Sequence, residues 1–202
     1  MRSSLLALRR WAGIGHERVT HTEKWLSTVG GLAGILGVAL ISQSQLGMTG
    51  SASIIASMGS SAVLLFAVPH GPLSQPWSVF GGHLVSAIVG VTCVKLIPVP
   101  MLAAAVAVAL AIGAMHYLRC IHPPGGATAL GAVVGGDAVH QLGYQFVITP
   151  VMLNATTILL VAVLFNAPFA WRRYPAAWSA GAKAPTPITA DGAPLMEEAD
   201  DR

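Results

Sequence analysis

A chain of 202 residues that is 54% hydrophobic and only 9% charged cannot cover the surface of a soluble domain, where about 25% charge is usual. Its formal net charge of +3 and pI near 9.2 do not point to nucleic acid, because the cations flank apolar segments and no basic patch interleaves with aromatics. From Trp25 to Trp171 the only charged residues are Lys95, Arg119 and Asp137, which reads as an all-α polytopic membrane protein with one compact domain.

In chain order, residues 1–24 form a basic leader with Arg2, Arg9, Arg10, Arg18 and Lys24. Its apolar run, Leu5 to Leu8, is too short for a secretory signal core, so the leader is expected to be cytoplasmic, as an interfacial helix or a partly ordered segment. A first span is expected over residues 25–46, with Gly30, Gly31, Gly34 and Gly37 supplying a small face for close helix packing. Packing within one protomer is the plainer use of that face; a seam with a second copy makes a homo-oligomer the rival. Gly47 to Gly50 reads as a link to a second span over residues 51–68, whose serines (Ser51, Ser53, Ser57, Ser60 and Ser61) suit helix contacts better than a hydrophilic path.

A breaker-rich turn, Pro69 to Pro76, precedes a third span at residues 77–97, and Pro98-Val99-Pro100 precedes an alanine-rich fourth at 101–118. Then Arg119-Cys120-Ile121-His122-Pro123-Pro124-Gly125-Gly126 interrupts the apolar pattern. Proline is tolerated mainly in the first turn of a helix, so a break at His122-Pro123 and a fifth, short segment over 123–136 follow. A sixth span is expected over 146–169, and residues 171–202 read as a flexible cytoplasmic tail. The membrane domain is thus residues 25–170.

Charge bias sets the topology. Arginines and lysines lie before the first span and at Arg172 and Arg173 after the last, so both termini are expected in the cytoplasm. An even number of crossings requires the short fifth segment to cross, giving a compact bundle of six transmembrane segments. Arg119 then falls inside and Asp137 outside; Lys95 falls outside against the rule, where it can snorkel to headgroups. The second and third spans mirror the fourth and fifth. Each pair turns through a His- and Pro-containing loop into a helix bearing a Gly-Gly pair, an arrangement that points to a transport site.

The break at His122 offers positive charge without a permanent trap. A helix start carries the positive end of the macrodipole, and Gly125 and Gly126 admit close approach of backbone to a ligand. Thr128 adds a hydroxyl, and His83 and Ser86 add the same chemistry from the mirrored hairpin. Arg119 is read either as a concentrator of anions at the inner mouth or as a positive-inside anchor. His83 is read either as a site residue or as a packed histidine. With no carboxylate expected within the apolar bundle, a cation path is disfavoured and a small anion or neutral solute is favoured. No nucleophile triad is seen, so no catalytic residue is assigned. Zinc at His70, His83, His116 and His122 lacks paired spacing and an acidic partner, so no metal or cofactor is expected. Cys93 and Cys120 read as reduced, packed residues.

The run His122-Pro123-Pro124-Gly125-Gly126-Ala127-Thr128-Ala129-Leu130 resembles the signature of the HPP family of integral membrane proteins. Pro72-Leu73-Ser74-Gln75-Pro76 with Gly81-Gly82-His83-Leu84-Val85-Ser86-Ala87 resembles that family's other characteristic segment, which brings Gln75 among the expected binding residues. Where the family pattern often carries an Arg-Asn pair after Gln-Pro, this chain has Trp77-Ser78. The likeness covers residues 25–168. Plastid and cyanobacterial relatives resemble nitrite transporters, so the resemblance implies nitrite as the anion and a bacterial inner membrane as the setting. The rival is an intramembrane structural or partner-binding protein whose glycines and prolines only fit tight helices.

Overall fold

The computed structural model describes residues 19–179, together with Leu8, Trp11 and Ala12; the side chains of residues 45–51 and 53 fall outside the description. The expected leader and the acidic end of the tail therefore lie largely outside the described residues. Among those residues every regular element is helical: α1 (His21–Ala67), α2 (Pro76–Leu96), α3 (Pro100–Tyr117), α4 (Pro123–Val134), the short α5 (Asp137–His140) and α6 (Leu153–Asn166), which is preceded by a distorted turn, Val147–Met152.

Three of these helices start where a proline dictates. Pro76, Pro100 and Pro123 each occupy the first helical position, where a missing N–H costs nothing. The residue before a proline is pushed out of the helical region, and Gln75, Val99 and His122 are all extended. In the run before α6, Thr149 precedes Pro150 and is likewise extended, so the backbone breaks there before α6 sets off. α1 begins on a Thr20 hydroxyl that accepts from the Glu23 amide at 3.2 Å.

The helical run His21–Ala67 covers 47 residues, and the expected link at Gly47 to Gly50 is helical in backbone. It is nevertheless not a single rod. The Phe66 ring packs against Gly30 and Gly34, residues that one straight helix would hold about 50 Å away. The chain therefore doubles back between a first arm, His21–Ser44, and a second arm, Ile54–Ala67. The glycine face at Gly30 and Gly34 is filled by Phe66 and Phe165 of the same chain.

Alternation of direction follows from which ends meet. At one end of the molecule, Arg172 beyond α6 reaches Glu23 in the first arm and the Phe66 carbonyl at the close of the second. Trp77 at the start of α2 donates to the Leu118 carbonyl at the end of α3, at 3.1 Å. At the opposite end Thr92 of α2 meets Tyr144, 2.9 Å away, ahead of α6. Four helices, His21–Ser44, Pro76–Leu96, Pro100–Tyr117 and Val147–Asn166, are long and apolar enough to cross a membrane. Ile54–Ala67 is a shorter apolar helix, and α4 has 12 residues, about 18 Å against a hydrocarbon core of about 30 Å. The outer face is apolar, with Val29, Leu32, Leu36 and Leu40 exposed along the first arm and Met101, Leu102 and Leu110 along α3. Such a continuous apolar surface suits lipid, not water. Cys93 and Cys120 are both free and buried.

Beyond residue 170 the chain returns as a strap. The Tyr174 hydroxyl donates to the Ser74 carbonyl at 2.7 Å, the Ala176 amide donates to Gln75 Oε1 at 3.1 Å, and His70 Nε2 donates to the Arg173 carbonyl at 3.0 Å. Arg172, only 1% exposed, is an ion-pair partner of Glu23 and also bonds Asn166 Oδ1 at 3.0 Å and the Phe66 carbonyl at 2.7 Å. The flexible tail expected from residue 171 is therefore docked as far as the strap extends.

Arg172→Ala strands Glu23 and two acceptors, so it should lower the stability of the detergent-purified protein by about 3 kcal/mol, read as a fall in denaturant midpoint. Burial pushes the Tyr174 phenol above its ordinary value, so the folded chain holds that proton more tightly than the unfolded one. Stability from this group is intact below about pH 10 and declines as pH rises beyond it. Tyr174→Phe should flatten that alkaline decline in a melting series.

Candidate functional site

The polar centre of the molecule is assembled by a close approach of two helix starts. Gly82 in α2 lies against His122, whose Cβ is 2.6 Å from where a side chain on Gly82 would begin. A Cβ on Gly125 would stand 2.8 Å from Ser86 Oγ and 2.9 Å from the Gly82 carbonyl. Real Cβ atoms do not tolerate such distances, so only glycine lets α2 and α4 meet here. The extended backbone forced on His122 by Pro123 completes the arrangement: the imidazole leaves the helix axis and enters the space between α1, α2 and α4.

There His122 meets His83, with ring centroids 5.0 Å apart. Ser61 Oγ lies 2.9 Å from Nε2 of each ring and so bridges them. His122 Nδ1 faces the Leu73 carbonyl at 2.8 Å, and His83 Nδ1 faces Thr128 Oγ1 at 2.8 Å. Thr128 in turn lies 2.6 Å from Ser57 Oγ, which is 3.1 Å from the Pro124 carbonyl. Every one of these five side chains is at most 1% exposed. A carbonyl can only accept, so His122 carries its hydrogen on Nδ1 and offers a lone pair at Nε2. The Ser61 hydroxyl therefore donates to His122 and accepts from His83 Nε2–H, which leaves His83 Nδ1 to accept from Thr128.

The expected site residues divide into two groups. His83 and Thr128 are bonded directly, and Ser61 joins His122 to them. Gly125 and Ser86 form the packed floor on which α4 rests, and the Ser86 hydroxyl lies 4.0 Å from Met115 Sδ. Gly126 points at Val108, 4.0 Å beyond its would-be Cβ. Gln75 is engaged elsewhere, donating to the Pro69 and Gly71 carbonyls at 3.1 and 2.9 Å and accepting from the strap. Arg119 is exposed, with a left-handed φ of 53° at the close of α3. It borders an open cleft of about 350 Å³ shared with Pro72, Leu73, Ser78, His116 and Ile121. The cleft reaches the residues on either side of the His122–Leu73 contact.

The helix break supplies fewer free amides than its sequence suggests. Pro123 and Pro124 have no N–H, and the Gly125 amide already donates to the His122 carbonyl at 2.8 Å. The available donors are side-chain hydroxyls and imidazoles, set at the positive end of α4. Ser57 and Ser61 have the sequence pattern of packing residues, yet they are central to the cluster. Their spacing of four places both on one face of the second arm, and that was the signal that could have found them. Among the described residues no group of three or more His, Cys, Asp or Glu side chains could hold a metal.

Ser61→Ala leaves His83 Nε2–H without an acceptor and His122 Nε2 without a donor in a buried space. It should lower stability by about 1–3 kcal/mol, whereas Ser60→Ala on the exposed neighbour should change it by less than about 0.5 kcal/mol; unfolding in mixed detergent measures both.

The chain is 38% identical over 158 residues to one transmembrane protein of Dictyostelium discoideum, an alignment covering 76% of this chain and 50% of that relative. It is 35% identical over 181 residues to another from the same organism, covering 84% of this chain and 62% of that one. The chain thus spans between half and two thirds of the length of these curated relatives. No solved structure matches it. The HPP transmembrane region matches residues 16–175, a stretch that contains every side chain of the buried cluster, and the chain belongs to the HPP family of integral membrane proteins.

Proposed function

We propose that this protein carries a small inorganic anion across a membrane, with nitrite the first candidate, and that the cluster around Ser61 is the closed form of its binding site. The observation that carries this reading is the burial of five polar side chains, each at most 1% exposed, inside an apolar helical body. Ionisable side chains such as the two histidines are costly at membrane depth and mark solute or proton pathways. None of the five bears a negative charge, and the three hydroxyls can each turn a hydrogen towards an anion once the cluster opens. The charged side chains near the bundle lie away from it: Glu23 pairs with Arg172, and Asp137 starts the short α5. The helix start at Pro123 adds its positive end to the same space.

In this reading both short helices cross with the four long ones, shielded from lipid by them, and the molecule has six transmembrane segments. The end bearing Arg119, Arg172 and Arg173 faces the cytoplasm of a bacterial inner membrane, as the charge bias requires. The cleft bordered by Arg119 and His116 is the inner vestibule; it is lined by Leu73, whose carbonyl bonds His122, and by Ile121, which precedes it. Nitrite itself rests on the resemblance to transporters among plastid and cyanobacterial relatives. No catalytic reaction is assigned, since no carboxylate in the cluster orients a base.

One feature favours a second reading, an intramembrane structural or partner-binding protein. The cluster's hydrogen-bonding groups find their partners within the protein, as a purely structural network would. The two readings part in a vesicle. Purified protein in proteoliposomes should take up nitrite with saturation, and His122→Ala should reduce the rate at least tenfold while eluting as a folded species. Uptake equal to protein-free vesicles, or unchanged in His122→Ala, would overturn the site assignment. Arg119→Gly separates stability from function. Relief of a non-glycine left-handed residue should stabilise the protein by about 1 kcal/mol, while loss of the vestibule cation should slow uptake at low salt and less so at high salt.

A further inference from the structure

The cluster has one more hydrogen-bonding junction than it has hydrogens. Reading from the Leu73 carbonyl, the junctions are Leu73–His122, His122–Ser61, Ser61–His83, His83–Thr128, Thr128–Ser57 and Ser57–Pro124. Both ends are carbonyls, which accept only. Each neutral imidazole and each hydroxyl between them supplies one hydrogen, so one junction is always empty in the neutral state. His122 must donate to Leu73, and the order that follows leaves the gap between Ser57 and the Pro124 carbonyl. That junction is the longest, at 3.1 Å against 2.6–2.9 Å for the others. Two alternative acceptors, the Ser57 carbonyl for Ser61 at 3.4 Å and the Pro124 carbonyl for Thr128 at 3.5 Å, are too long to compete.

We propose that this chain of side chains takes up a single proton together with the anion, which makes the protein a proton-coupled anion carrier; the inference rests on the transport reading above. One added proton fills every junction. His122 then donates from both nitrogens, Ser61 turns to His83 Nε2, His83 donates from Nδ1 to Thr128, Thr128 turns to Ser57, and Ser57 donates to the Pro124 carbonyl. Only N–H and O–H bonds form and break. Each hydrogen along the chain passes one junction towards His122, and the added proton lands on Ser57 Oγ at the vacant Pro124 junction. It enters from the Pro124 side, where an open cleft of about 410 Å³ is lined by Ser60, Pro123 and Pro124, and leaves by the same steps in reverse.

The charge so created has no resident counter-ion. The second arm presents Ser57 and Ser61; α2 presents His83, with Lys95 near its far end, and α4 presents Thr128. From α3 and its connection the titratable groups are His116, the exposed Tyr117, Arg119 and the buried Cys120, and from the Pro69–Gln75 turn His70; among the described residues no carboxylate faces the pair. A lone cation in such a place is strongly disfavoured, and a bound anion removes the penalty. By linkage the anion must raise proton affinity by the factor by which the proton raises anion affinity.

Two measurements test this on the full chain. In lipid, nitrogen NMR of the histidine-labelled protein should show opposite tautomers at neutral pH, Nδ1–H for His122 and Nε2–H for His83. Acidification should add one proton to the pair, and sodium nitrite should shift the midpoint of that uptake upward by about one pH unit, a tenfold change in proton affinity. Matching tautomers, or a midpoint indifferent to nitrite, would overturn the proposal whether or not transport is seen. In proteoliposomes holding a pH dye, inward nitrite flux should acidify the lumen with one proton per anion, above the background of protein-free vesicles that nitrous acid crosses unaided. Uptake without that acidification would sink the coupling and leave anion transport standing. Ser61→Thr, which keeps the bridging hydroxyl, should retain the one-to-one ratio, and Ser61→Ala should lose it.

Discussion

The polar centre exists because two helix starts can touch without side chains between them. Gly82 and Gly125 let α2 and α4 come so close that His122 is pressed onto bare backbone. Any β-carbon at Gly82 would displace His122 and separate it from Ser61. The histidine pair, its serine bridge and the Leu73 contact are therefore consequences of a packing distance. Conversely, the hydrogen bonds stabilise the close approach by about 0.6 kcal/mol each on the scale of membrane interiors. Packing and polarity thus support the same geometry, which is what a single well-defined arrangement requires.

The second dependence runs through the Pro69–Gln75 turn. Its Leu73 carbonyl fixes the hydrogen on His122, and through it the direction of every hydroxyl in the cluster. The turn is itself held from two sides. Ser74 bonds the Leu64 and Val68 carbonyls at 3.1 and 2.8 Å, and the strap grips Ser74 and Gln75 from above. A segment that touches no member of the cluster thereby sets the position of the atom on which the cluster's order depends.

Much of this architecture was legible in residues alone. Prolines marked the starts of α2, α3 and α4, and the shortage of charge announced a membrane body. His83, His122 and Thr128 stood out because a chemistry-bearing residue in an apolar run needs a reason. Less visible were contacts that only tertiary proximity creates. The serines of the second arm looked like ordinary helix-packing residues until α4 was placed beside them. Arg172 looked like a membrane-flanking cation, because sequence carries the sign of a charge but not its burial. The expected tail hid a docked strap, since Arg172 to Trp178 leads into a stretch rich in proline, alanine and glycine that reads as a linker. The long run of α1 shows the reverse limit: the reversal between its arms is demanded by the contact of Phe66 with Gly30, a contact that no local pattern in the sequence announces.

Arg172 ties the opening of the first arm, the close of the second and the end of α6 into one knot. Its partner Glu23 is made 149 residues before it, so the pair forms only after every helix between them has been synthesised. A chain halted before that arginine therefore has all its apolar segments in place but lacks the contact that joins the first arm, the second arm and the end of α6.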